Sequence, residues 1–536
     1  MATIKQKNNN QSAKIVLCVF AFIIILMVLN VIYLGATGKH LVSGANIKEY
    51  AENRGGQQKE ETLYAKRGTI YSSDKQVIAS DVKKYKLYAI LSETRLTVDK
   101  EPAYVVDKEE TAKKLAPILG VDKAKILEQL NKKTYQVEFG SYGNNLSSLV
   151  KDKIDALGLP GLEFEEITTR NYRYGDFASY EVGYAQLLTN EINGKTTKSI
   201  IGQMGLEKAF DDELSGKDGK KVYLVDNNNY TLPNGVLSET APVAGNDMYL
   251  TIDADVQTEL DLQMKQLVEK LKSEKATCAV MEAKTGKILA VSNYPSFDPN
   301  KRDIDNYVDL FLNEAVEPGS VFKSFVYANG LNDGRLNLKT KYQSGKFYYN
   351  NNKKDSVKDH NGGKGWGTIS YEQGFYYSSN TAMLRTVNDR VSLLQDYEDL
   401  GFFKSGTVDK LSTASGFAGY KGVVGRDIEY LTTGFGQGSS WTAYQLLRAY
   451  SVFANNDGKM VTPYFVDKIV DSSTNETIYQ GKTEYSKQIY TNETVKKMRD
   501  LLSGVINIKG STGYSYHMDD INLIGKTGTG QVAQTG

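Results

Sequence analysis

The sequence predicts three successive parts: one membrane-spanning helix, a mixed α+β domain, and a larger α/β domain that carries the chemistry. Three observations lead there. Residues 15–38 hold no charged side chain and are almost wholly apolar. From there to about residue 240, short helical patterns alternate with strand-like stretches and gather no catalytic side chains. Beyond residue 247, apolar strands alternate with amphipathic helices, and serine, lysine and asparagine motifs appear in order. A chain of 536 residues has room for two or three such domains.

The first part reads as an uncleaved anchor. About 20 residues at a rise of 1.5 Å each span the hydrocarbon core, and Lys5, Lys7 and Lys14 precede the run. Lysines on that side keep the end cytoplasmic. A cleaved signal peptide calls for a shorter apolar region and a small-x-small site, which YLGATGKH supplies poorly. Residues 1–14 are therefore a cytoplasmic tail, 15–36 the transmembrane anchor, and the rest lies outside the cell membrane.

In the second part, LVSGANIKEYAENR reads as a short amphipathic helix leading away from the lipid. AKRGTIYSSDKQVIAS (65–80) is strand–turn–strand, with the turn at Ser73-Asp74. Helices are expected at 108–119 and 122–132, an alternating strand at TYQVEFG, and a further helix, LSSLVKDKIDAL, stopped by Gly158 and Pro160. The stretch 225–247 is rich in turn formers and is expected to be the joint between domains, so that 37–240 form one and 247–536 the next. The acidic pairs Asp211-Asp212 and Asp519-Asp520 are expected to face solvent.

The third part opens with a strand running into a helix on which Val256, Leu260, Met264, Leu267 and Leu271 form one apolar face. ATCAVMEA and KILAVSNY are then two apolar strands separated by Lys284-Thr285-Gly286, a hairpin signal. Cys278 is expected to be a small buried residue, and with Cys18 it builds neither a disulfide nor a zinc site. His40, His360 and His517 are too scattered for a metal site or a histidine-based triad, and read as loop residues. Trp366 either packs or lines a cleft. A net charge of +1 offers no field for nucleic acid.

A second Lys-Thr-Gly, in INLIGKTGTGQ (521–531), admits two chemistries. A phosphate loop needs glycine four residues before Gly-Lys-Thr, so that consecutive N–H groups wrap a phosphate. Asp520 stands there instead, and its charge would repel one. Acyl transfer needs a nucleophile, an adjacent base, a proton relay and donors for an oxyanion. EPGSVFKSFVYANGL (317–331) supplies the first two: Ser320 opens a helix, and Lys323 stands nearly one turn on, where the two can meet. Desolvated there, Lys323 has its pKa lowered and serves as a base. Taken singly, Ser-x-x-Lys is weak, recurring at Ser72–Lys75, across a turn, and at Ser148–Lys151, on a solvated helix face. What raises Ser320 above these is order: Ser378-Ser379-Asn380 and then Lys526-Thr527-Gly528 follow it.

With this triple in place, the chain resembles a class B penicillin-binding protein, a membrane-anchored peptidoglycan D,D-transpeptidase. RGTIYSSDKQVIA, RNYRYGDFASYEVGYAQ and GQMGLEKAFDDELSGKDG are similar to the motifs of that family's N-terminal pedestal. YLTIDADVQ, KTGKILAVSNYPSFDPN and GFGQGSSWTAYQLLRAYSVFAN are similar to its transpeptidase landmarks. Arg173 and Tyr180 depart from it, standing where proline and histidine are commoner.

The resemblance implies an α/β transpeptidase domain with an antiparallel sheet flanked by helices, like that of serine β-lactamases, and no cofactor. It implies that Ser320 attacks the penultimate D-Ala carbonyl of a stem peptide, Lys323 takes the proton, and Ser378 relays one to the leaving amine. Asn380 then holds the substrate amide and Lys323. Lys526, Thr527 and Thr529 line the substrate along a strand edge, Gly528 clears the serine helix, and the N–H groups of Ser320 and Thr529 form the oxyanion hole. Implied partners are stem peptides ending in D-Ala-D-Ala, β-lactams as inhibitors, the membrane, and a SEDS-type glycosyltransferase. Two rivals stay open: a β-lactamase on the same fold, and an anchored scaffold or penicillin sensor without catalysis. Relatives of this family carry further strands and a helix after the second Lys-Thr-Gly. The chain is therefore expected to be a fragment, and one ending at Gly536 to bind penicillin poorly.

Overall fold

The computed structural model describes residues 9–37, 57–97, 100–192, 195–225, 231–348, 356–386, 390–418, 427–454 and 457–530. They belong to two compact units, Met1–Ala65 with Lys217–Val243, and Lys66–Gly216 with Ala244–Gly536.

In the first unit, a helix runs from Asn9 to Thr37. Its Lys14–Tyr33 stretch has a mean hydropathy of 3.3, long and apolar enough to cross a membrane. The expected helix after it falls on residues outside those described. The unit also holds an antiparallel sheet of Gln57–Leu63, Gly219–Val225 and Thr231–Thr240, with the second strand central. The stretch expected to be a turn-rich joint thus contains a ten-residue strand. Its turn formers sit where the register slips, between Val222 and Tyr223 and between Tyr223 and Val225. Bulges absorb residues that an unbroken ladder would reject.

In the second unit, Ile70–Tyr71 and Val77–Ile90 flank the expected turn, where Ser72 Oγ donates to Asp74 at 2.6 Å. The three expected helices form at Lys108–Leu119, Lys123–Leu130 and Ser148–Asp155. Ala112, Leu115, Ile126, Leu130 and Ile154 from these helices pack on Leu87, Ala89, Val137 and Phe139. One sheet then joins early and late sequence: Asp247–Leu250 runs parallel to Ile70–Tyr71 and antiparallel to Val466–Val470.

The helix Ala254–Leu271 buries a different face from the one expected. Ala254, Gln257, Met264 and Val268 are buried, whereas Val256, Leu267 and Leu271 are exposed. The cause is Gln257, whose amide donates to Val291 O and accepts from Val291 N, both at 2.8 Å. A glutamine that pairs with a strand backbone can occupy the inner face without loss. The strands Ala276–Met281 and Ile288–Tyr294 pair as the expected hairpin. Gly286 takes φ +85° in its turn and donates to Glu282 O at 2.9 Å, so the first Lys-Thr-Gly is a turn. Cys278 is exposed on this hairpin rather than buried, the one exposed position of its strand.

A large aromatic core surrounds the helix Lys323–Asn332, which is buried from Lys323 to Gly330. Phe322 stacks on Trp441 at 5.7 Å, and Phe325 on Phe453 at 5.8 Å. The helices Ala443–Ala454 and Asn492–Asn507 close over it. This packing fixes the position of the lysine at the helix start.

Candidate active site

Pro318-Gly319 breaks the chain before the serine, and Gly319 takes φ +58°. A Cβ there would sit 2.3 Å from Thr529 O, so only glycine lets the two segments approach. Gly436 meets the same turn, its carbonyl accepting from Gly319 N at 3.1 Å. Ser320 then falls in a 3₁₀ turn, Gly319–Phe322, and the α-helix begins only at Lys323. The expected start of an α-helix at Ser320 is corrected accordingly. The tight turn follows from the crowding of Gly319 against two other segments.

Lys323 is 1% exposed and donates to Ser378 O at 2.6 Å, Asn380 Oδ1 at 2.8 Å and Ser378 Oγ at 3.2 Å. Its amine is engaged by the second motif, and among the described residues Ser320 Oγ has no hydrogen-bond partner. Ser378 adopts φ +54°, a left-handed turn that aims both its carbonyl and its hydroxyl at the lysine. Asn380 opens the helix Asn380–Thr386, and its Nδ2 donates to Lys358 O at 2.9 Å.

Lys526 reaches the same hydroxyl from the other side, with Nζ 2.9 Å from Ser378 Oγ. Two lysines therefore converge on one serine. Burial pushes Lys323 well below the ordinary lysine range, and repulsion from Lys526 lowers it further. Burial alone pushes Lys526 down to about 7. Thr527 Oγ1 donates to Thr512 Oγ1 at 2.9 Å. A Cβ on Gly528 would stand 2.8 Å from Val321 Cγ1 and 3.1 Å from Pro318 O, so this glycine does clear the serine turn. Thr529 is exposed, with its carbonyl against Gly319.

One expectation about this segment changes. Residues 522–530 have no regular secondary structure and belong to no sheet among the described residues. A strand needs a ladder partner, and here only isolated bonds hold the segment, such as Gly525 N to Leu502 O at 3.2 Å and Asn507 Nδ2 to Leu523 O at 3.1 Å.

Asp359, Glu317 and Tyr450, near the site, had no signal in the sequence. Asp359 is 1% exposed and accepts from Ser379 Oγ and Thr381 N, each at 2.9 Å. Glu317 Oε1 accepts from Gly438 N at 2.8 Å, and Tyr450 bonds both Ser324 Oγ and Val321 O. Trp366 stacks on Tyr377 at 5.2 Å, next to Ser378, and His360 bonds Tyr377 O at 2.9 Å. His40 lies outside the described residues, while His517 is exposed and bonds Asn507. The discounted serine–lysine pairs behave as expected: Lys75 sits in its turn at φ +65°, and Lys151 pairs with Asp155 on a helix surface.

Comparison with known proteins finds matches across both parts of the chain. The penicillin binding protein transpeptidase domain matches residues 276–536, and the penicillin-binding protein dimerisation domain matches residues 62–250. Stage V sporulation protein D of Bacillus subtilis (strain 168) is 29% identical over 449 residues, covering 82% of this chain and 66% of that protein. The probable peptidoglycan D,D-transpeptidase PenA of Neisseria meningitidis serogroup A is 27% identical, covering 94% of this chain and 81% of its own. The crystal structure of penicillin binding protein 2X from Streptococcus thermophilus superposes with a TM-score of 0.62 at 30% identity, covering 83% of this chain and 66% of that one. The chain thus spans about two thirds of the length of the sporulation protein and of the 2X structure. With a dimerisation domain followed by a transpeptidase domain that carries all three motifs in order, the chain belongs to the class B penicillin-binding proteins.

Proposed function

We propose that the chain is a D,D-transpeptidase that cross-links peptidoglycan stem peptides through an acyl-serine intermediate at Ser320. The observation that carries this reading is the convergence of Lys323 and Lys526 on Ser378 Oγ, beside the serine turn. Burial holds the Lys323 amine well below the ordinary lysine range, toward the neutral form that a base requires.

The steps follow from that arrangement. Lys323 takes the Ser320 proton as Oγ bonds to the penultimate D-Ala carbonyl, with charge developing on the oxygen between the N–H groups of Ser320 and Thr529. Collapse breaks the C–N bond. Ser378, held between the lysines, passes a proton to the departing D-Ala amine. An acceptor amine then attacks the acyl-serine, its proton returns through the same groups, and Ser320 is regenerated. Lys526, Thr527 and Thr529 bind the terminal carboxylate, Asn380 binds the substrate amide, and β-lactams enter as mimics of the same peptide.

Residues 37–240 serve as the pedestal and 247–536 as the catalytic domain. The apolar helix is a single-pass anchor with its N-terminus in the cytoplasm, and glycan polymerisation falls to a SEDS-type partner. This last assignment rests on family resemblance alone. The test is labelling of the full-length gene product with a fluorescent penicillin: the unaltered protein takes a stable label, and Ser320→Ala abolishes it. A label that persists in Ser320→Ala means a different nucleophile, and rapid turnover of free penicillin means a β-lactamase.

A further inference from the structure

Asp359 is a carboxylate in an unusual position. It follows the short strand Ser356–Lys358, is 1% exposed, and among the described residues has no lysine or arginine nitrogen within 4 Å. Every hydrogen bond it accepts comes from a neutral donor: Gly345 N at 2.7 Å, Ser379 Oγ and Thr381 N at 2.9 Å, and Thr381 Oγ1 at 3.1 Å. Three of these four bonds fall on the residues flanking Asn380. The adjacent Lys358 carbonyl accepts from Asn380 itself. A buried anion left without a counter-ion is costly, and it is tolerated where several donors satisfy it.

The consequence is geometric. Ser378 stands in a left-handed turn, and such strain persists only where surrounding contacts over-determine it. Asp359 provides that over-determination from one side and Lys323 from the other. We propose that Asp359 is a positioning residue for acylation, whose carboxylate fixes the Ser378–Asn380 turn against Lys323 and whose charge acts on that lysine across the turn. Beyond Lys323, the titratable groups facing Asp359 are Tyr327 and Tyr342, both neutral, with Arg385 beyond Tyr342 and Lys526 beyond Lys323. The anion favours the protonated form of Lys323 and thus opposes burial and Lys526, which both favour the neutral form.

The inference rests on Ser320 as the nucleophile, and the pH dependence of acylation separates the two. The experiment measures second-order acylation of the full chain by a fluorescent penicillin across pH. In the unaltered protein one limb follows Lys323, whose titration is pushed well below the ordinary lysine range by burial, and the rate falls near pH 7 as Lys526 loses its proton. Asp359→Asn is expected to slow acylation about 100-fold, the scale of a small misplacement of reacting groups. It also moves the rising limb to lower pH, because Lys323 loses an attractive charge, and leaves the falling limb in place. A packing defect lowers the amplitude without moving either limb. Ser379→Ala and Thr381→Val keep the charge, and each should slow acylation about tenfold with both limbs unmoved; they carry the test should Asp359→Asn not fold. Unchanged rates in these variants, or a slowed Asp359→Asn with unmoved limbs, overturn the inference alone. An unaltered full-length gene product that takes no label overturns the reading of Ser320 and the inference with it.

Discussion

The molecule buries two clusters of charge, and they are built on opposite plans. In the N-terminal part of the second unit, Arg67 and Arg170 share Glu207, each through Nε at 2.7 Å. Arg67 Nη1 also meets Asp211 at 2.6 Å, and Arg170 Nη1 meets Asp81 at 3.1 Å. Burial alone would raise the Glu207 carboxyl, but the two guanidiniums outweigh it and hold it below the usual range. Asp211, expected to face solvent, belongs to this cluster. At the candidate active site Lys323 is equally buried, yet its nearest charged neighbour is another lysine and no carboxylate touches it. Compensated charge keeps the Glu207 carboxylate ionised and ties backbone segments together. Burial first and a like charge second drive Lys323 toward neutrality against the opposing charge of Asp359, and neutrality is what a base requires.

The comparison breaks first at Lys323. Lys323→Met should lower acylation by about 10²- to 10⁴-fold, the range of general-base loss, while leaving the unfolding midpoint at neutral pH unchanged or higher. Both lysines titrate lower in the folded than in the unfolded chain. Between those folded values and the ordinary lysine value of 10.5, the unfolded chain binds more protons, so stability rises with pH. For Lys526 this window runs from about 7 to 10.5. Lys323→Met removes its share of that slope. Urea midpoints measured across the window check it, and an undiminished slope removes Lys323 from the account.

The opposite outcome is expected at Arg170. Arg170→Met leaves Glu207 buried with one partner fewer, and removing one member of a buried pair costs about 3–5 kcal/mol. The denaturant midpoint should drop sharply, while folded protein at low temperature acylates within a few-fold of normal. A large loss of acylation in folded Arg170→Met would tie this cluster to chemistry and erase the contrast.

What could be read from the sequence follows the same division. The helices at 108–119, 123–130 and 148–155 and the 284–286 turn were legible because local patterns dictate them. Ser320, Lys323, Ser378, Asn380 and Lys526 were legible as a triple of short motifs, and the fold brings four of them within hydrogen-bond reach of one another. Asp359, Gln257 and Asp211 were not, because their partners lie 22, 34 and 144 positions away at Thr381, Val291 and Arg67. A polar residue satisfied at long range has no sequence signature. The 3₁₀ turn at Ser320 escaped for the same reason, being set by Thr529 and Gly436 rather than by its own residues.

The two Lys-Thr-Gly sequences give the smallest effect and the cleanest control on this point. The tripeptides are identical, so any difference between them comes from surroundings alone. Lys526 is desolvated against Ser378 and Phe375, and Gly528 lies against the serine turn. Lys284 lies on an exposed hairpin turn, where its carbonyl accepts from Tyr485 Oη at 2.6 Å and its side chain makes no bond among the described residues. Lys284→Ala should therefore leave acylation at the unaltered rate and shift stability by less than about 0.5 kcal/mol, as surface substitutions do. Only the backbone carbonyl is used there, and alanine keeps it. A fall in acylation in this variant would mean that the hairpin reaches the substrate, and that the position of a motif in the fold tells less about its chemistry than the two clusters suggest.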